Sequence, residues 1–101
     1  MTMSTEAREL ELYVNNVEAY IKPAWLTLGK FYKAGTFNRD RGLAYIARYV
    51  LAPAAKQYHQ EFGSMRSRWS DTFPKSIRLE AAESILDSMV AEFRLGNFWN
   101  N

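Results

Sequence analysis

His59 and three carboxylates at Glu80, Glu83 and Asp87 are the residues of this 101-residue chain best suited to chemistry. His59 is the only histidine. A general base needs a partner within hydrogen-bond reach. Its helical neighbours at i±4, Ala55 and Gly63, have no polar side chain, and Glu61 lies across the helix. His59 therefore reads as an ordinary surface or helix-end residue. The carboxylates follow an i, i+3, i+7 spacing and share one helical face. Such a line could ligate Mg²⁺ or Ca²⁺ if another helix added oxygens. A solvated acidic face, or one docked on a basic partner, needs no metal. A di-iron carboxylate helix would require Glu-x-x-His, which does not occur.

Other chemistries lack their groups. With no cysteine, a disulfide framework, a thiolate metal site, a redox pair and a cysteine nucleophile are excluded. The five glycines are scattered and form neither GxGxxG nor GxxxxGKS/T, and no GxSxG elbow occurs. The chain reads as a non-enzyme without cofactor or metal.

Binding surfaces are better represented. Net charge is only +2, but its distribution is uneven. Residues 1–21 hold one Arg against four Glu, and residues 79–101 one Arg against four acids. Residues 22–78 hold eleven Lys/Arg against three acids. Either the acidic ends pack beside the basic middle and neutralise it, or a positive surface remains for an anionic partner. Basic and aromatic residues interleave around Lys30, Lys33, Arg39 and Arg41, and again around Arg66, Arg68, Lys75 and Arg78. Cations can neutralise phosphates while exposed rings stack on bases, so these eight residues are nucleic-acid candidates. Tyr45 and Tyr49 share a helical flank away from Ile46 and Val50, and Arg41 and Arg48 complete a Tyr/Arg surface. With Trp69, Phe98 and Trp99 they are the protein-interface candidates, because Trp, Tyr and Arg dominate binding energy. Phe98 and Trp99 have a second reading, folding back onto the core.

The elements that must carry these residues are helices. A period-2 alternation of β-branched residues is nowhere present. Ser4 or Thr5 caps a first helix with the stripe Leu10, Val14, Val17 and Ile21. Pro23 should kink it or restart it, with Trp25, Leu28 and Tyr32 forming the next face and Gly35 the stop. Asn38 caps a long run with Leu43, Ile46, Ala47, Val50, Leu51, Ala54, Tyr58 and Phe62, which Pro53 should kink or split. Residues 63–73 are polar and aperiodic, a loop. Asp71 and Pro74 mark the start of a last helix ending near Arg94, with Ala82, Ile85, Leu86, Met89, Val90 and Phe93 on its apolar face. The expectation is a single all-α domain over 1–101, a compact bundle of four to five amphipathic helices. Amphipathic helices of this kind also support a homo-oligomer. The start of the chain has no signal-peptide pattern, and no run approaches the roughly 18 apolar residues that span a bilayer. A cytoplasmic protein without membrane contact follows as the expectation.

Three phrases carry a resemblance: Glu9-Leu10-Glu11-Leu12-Tyr13, Ala55-Lys56-Gln57-Tyr58 with Glu61-Phe62-Gly63, and Glu92-Phe93-Arg94-Leu95-Gly96-Asn97-Phe98. Together the chain resembles small helical accessory proteins of bacteriophages and plasmids. The resemblance carries no functional residues across. It implies a context, in which such proteins dock on host proteins, block a nuclease or CRISPR effector, alter transcription or bind nucleic acid. Blockers that imitate DNA are strongly acidic, and this chain is slightly basic. Steric blocking of a host protein surface is the leading expectation, with a nucleic-acid module and an oligomeric structural protein as alternatives.

Overall fold

A computed structural model describes residues 4–62 and 75–99, and the regular elements among them are all helical. The order is α1 (Thr5–Asn15), α2 (Glu18–Lys33), α3 (Arg39–Tyr45), a π segment (Ile46–Leu51), α4 (Ala52–Phe62) and α5 (Lys75–Arg94). Trp69, Arg66 and Arg68, the expected loop over 63–73 and the helix start at Asp71 and Pro74 lie outside the described residues.

Local chemistry sets most of the boundaries. Ser4 is extended and its Oγ accepts from the Ala7 N–H at 3.2 Å, which caps α1. Asn38 does the same for α3, its Oδ1 accepting from the Arg41 N–H at 3.0 Å. Helices α2 and α5 end alike. Gly35 and Gly96 take φ of 75° and 83°, and the next residue's N–H reaches back to Phe31 or Glu92 at 2.9 Å. This is the Schellman closure, which favours glycine at the left-handed position.

Of the two outcomes expected at Pro23, a kink or a restart, the restart does not occur. The first break falls at Asn16 and Val17, and Pro23 sits inside α2 rather than at its start. Adjacent Asn15 and Asn16 compete for backbone hydrogen bonds and favour a helix end there. An interior proline costs about 3 kcal/mol. Burying Ile21 and Leu28 on the same helix, at about 1.5–3 kcal/mol each, offsets that cost. At Pro53 the helical path from Arg39 to Phe62 continues, but in π register just upstream, where the Ala52 N–H reaches the Ala47 carbonyl. Proline lacks a donor and crowds the carbonyl four residues back, and the wider π turn makes room for the ring.

The core is one cluster with α5 at its centre. Leu86, Ile85, Met89 and Phe93 meet Leu10 and Val14 of α1 and Ile46, Val50 and Leu51 of the π segment. Helix α3 comes close because Gly42 has no side chain. A Cβ there would stand 3.3 Å from Leu86 Cδ1 and 3.2 Å from Phe37 Cε2. Polar ties fix α1 against α5: the Ser4 N–H donates to Glu80 Oε1 at 2.6 Å, and Ser84 Oγ donates to Glu11 Oε2 at 2.7 Å. None of the described helices is long and apolar enough to cross a membrane.

Candidate functional site

The carboxylate stripe is divided among separate tasks. Glu80 accepts from both the N–H and the hydroxyl of Ser4, Asp87 pairs with Arg39 at 3.0 Å, and Glu83 is exposed. Among the described residues no group of three His, Cys, Asp or Glu could hold a metal ion. His59 is half-buried, and its Nδ1 has no hydrogen-bond partner among the described residues.

The aromatic tail folds back. Phe98 stacks on Phe93 at 5.1 Å between centroids with the planes 13° apart, and Trp99 lies 6.4 Å from Trp25. Both rings are half-buried against the core. Trp99 also lines a groove of about 630 Å³ beside the α1–α2 break, floored by Ile21, Trp25, Ile85 and Met89 and edged by Glu18 and Glu92. Each edge carboxylate already has an internal partner. Glu18 faces Lys22 at 3.8 Å, and Glu92 accepts from Asn97 at 2.7 Å.

Arg41, Tyr45, Arg48 and Tyr49, by contrast, come together on the outer flank of α3 and the π segment. The Tyr45 and Tyr49 rings are 5.2 Å apart, and the Arg48 guanidinium lies 5.5 Å from the Tyr49 ring. Stacking of this kind holds a guanidinium in place while leaving its donors available. Arg41 and Tyr45 line a cleft of about 190 Å³ together with Phe31 and Phe37. Tyr49 is 61% exposed and Phe31 50%. Neither Arg41 nor Arg48 pairs with a carboxylate among the described residues.

Phe31 is the member that sequence reasoning missed. Its signal was negative. Trp25, Leu28 and Tyr32 define the inward face of α2, and Phe31 stands about 100° away from Tyr32 on the helix.

The described nucleic-acid candidates sit in different settings. Lys33 Nζ sits 4.4 Å above the Phe98 ring, Arg39 is tied to Asp87, and Lys30 is exposed near the end of α2. Lys75 and Arg78 line a separate groove with Arg48. Compared with protein-family models, curated proteins and solved structures, the chain matches none.

Proposed function

We propose that this chain is a non-enzymatic binding protein that docks on another protein through the face formed by Phe31, Arg41, Tyr45, Arg48 and Tyr49. The observation that carries this reading is a pair of exposed rings, Phe31 and Tyr49, joined by the half-buried Tyr45 and set beside two guanidinium groups that have no carboxylate partner among the described residues. Residues of these types supply large, rigid contact area and forked donors, the usual centre of a protein interface. Scattered exposed residues such as Leu12 and Leu26 need no such explanation.

The charge of the face selects an acidic partner surface. The resemblance to phage and plasmid accessory proteins supports a host partner in the cytoplasm. A host defence complex, such as a CRISPR effector or a nuclease, is the most concrete version. A positive face suits an acidic patch on such a complex, away from the channel that holds nucleic acid.

The test compares the wild-type chain with a Tyr49→Ala/Arg48→Ala variant. Both are used for affinity capture from a bacterial lysate, and the dissociation constant of the captured partner is then measured. A hot-spot face predicts weakening by at least about thirtyfold, equivalent to about 2 kcal/mol, with thermal unfolding unchanged. A partner that binds both chains equally would place the interface elsewhere.

A further inference from the structure

We propose that the groove between the π segment and the start of α5 binds a phosphate group, held by Arg48, Lys75 and Arg78. The groove measures about 270 Å³, and Ala47, Ala52 and Leu79 form its apolar wall. Among the described residues three cations line it and no carboxylate does. Bringing like charges together beside apolar wall strengthens their repulsion, because the local dielectric is lower than in water.

Two further features point the same way. Arg78 Nε is out of solvent contact and has no hydrogen-bond partner among the described residues. A donor withdrawn from water without an acceptor is costly, so it calls for an anion. The first turn of α5 contains no acidic residue, yet Lys75 and Arg78 stand at that end. Cations are disfavoured at a helix N-terminus, where the macrodipole is positive. A bound anion would turn both features from costs into attractions.

Phosphate fits better than a carboxylate. It carries up to two negative charges and presents several acceptor oxygens, which matches two guanidinium forks and an ammonium. The phosphate could belong to a small free molecule or to a nucleic-acid strand. In the latter case Tyr49, whose ring is beside Arg48, is placed to stack on a base. Arg48 belongs to both sites, and the inference is separable from the protein-docking reading through Lys75 and Arg78, which lie outside the face invoked there.

The experiment is a heteronuclear amide NMR titration of the full chain with sodium phosphate, against sodium chloride at matched ionic strength. Saturable shifts confined to residues 44–52 and 75–79, absent with chloride, are expected. Arg78→Gln should weaken the phosphate response about tenfold and Arg78→Lys less, since lysine keeps the charge and loses the fork. Because Arg78→Gln could perturb α5, Lys75→Gln at the exposed position is a second variant, expected to weaken binding in the same direction. A second arm uses labelled oligothymidine at roughly 50 and 200 mM salt. Binding that phosphate competes away, with a salt slope lowered by about one in Lys75→Gln, assigns the site to a strand. Phosphate binding without oligonucleotide binding assigns it to a small molecule. Shifts equal to those in chloride, or a phosphate response unchanged in both Arg78→Gln and Lys75→Gln, would overturn the proposal.

Discussion

Helix α5 divides the molecule into two regions that treat charge in opposite ways. On the α1 side, acidic groups are absorbed by neutral donors. Glu80 takes the N–H and hydroxyl of Ser4, Glu11 takes the hydroxyl of Ser84, and Glu9 of α1 takes the phenol of Tyr58 on α4. On the π-segment side, Arg48, Lys75 and Arg78 converge with no carboxylate among the described residues of the same groove. Among the described residues the acidic ends therefore cancel the basic middle only in part. Where described cations meet carboxylates, at Lys22–Glu18 and Arg39–Asp87, the pairs are at the surface. The contrast separates polar groups that hold the fold from polar groups that remain available to a partner. Each can be perturbed without the other.

The largest effect should come from the α1 side. Glu80→Ala removes the acceptor for two Ser4 donors that are partly buried. Hydrogen bonds to charged groups contribute about 1.5–3 kcal/mol. In a domain of this size each kcal/mol lowers Tm by about 4–8 °C. Thermal unfolding should show that loss, while binding through the Tyr/Arg face stays intact. A variant as stable as wild type would mean that water replaces Glu80 without cost, and the contrast between the regions would fail.

The same side should be sensitive to alkali. The Tyr13 phenol is pushed up to about 12 by burial first, then by the negative charge of Glu61, by Tyr20 and by a hydrogen bond to Glu61. Its edge-on contact with Tyr58, 5.4 Å between centroids, places it in the α1–α4 seam. The raised value means that folding favours the neutral phenol. Its contribution is complete below the ordinary tyrosine value of about 10 and is lost as pH rises toward about 12. Denaturant midpoints should fall across that window. Glu61→Gln should bring the Tyr13 ionisation, followed by absorbance, part of the way back toward the ordinary tyrosine value of about 10. Ionisation of Tyr13 near the ordinary tyrosine value of about 10 in the wild type would contradict a desolvated seam.

These differences explain how much could be read in advance. Caps and stops were legible because they are local: Ser4 and Asn38 act within three residues, and Gly35 and Gly96 within one turn. The apolar stripe of α5 and the Arg41–Tyr45–Arg48–Tyr49 flank followed from helical spacing. The restart offered at Pro23 does not occur, because the burial of Ile21, Ala24 and Leu28 around it offsets the residue-level penalty. The π register at Ile46–Leu51 leaves no separate mark in the apolar pattern. Long-range pairings were not legible either. Glu80 meets a residue 76 positions away and Asp87 one 48 positions away. Nothing in their i, i+3, i+7 spacing distinguishes a metal stripe from three separate roles. The meeting of Arg48 with Lys75 and Arg78 likewise depends on how α5 lies across the π segment.

The smallest effect tests the boundary between the two regions. Arg39 and Asp87 are 3.0 Å apart, but their side chains are 51% and 64% exposed. Exposed pairs of this kind contribute about 0.2–1 kcal/mol and are screened by salt. A double-mutant cycle with Arg39→Ala and Asp87→Ala should give a coupling in that range at low salt, vanishing at high salt. The value decides which region Arg39 belongs to. A measurable coupling means that Asp87 withdraws it from the surface, leaving the basic groove at the opposite end of the α3–α5 seam as the free positive site. Coupling of zero means that Arg39 is as available as Arg41. The cationic surface would then extend along the whole seam, and Asp87→Ala would strengthen binding of an acidic partner instead of leaving it unchanged.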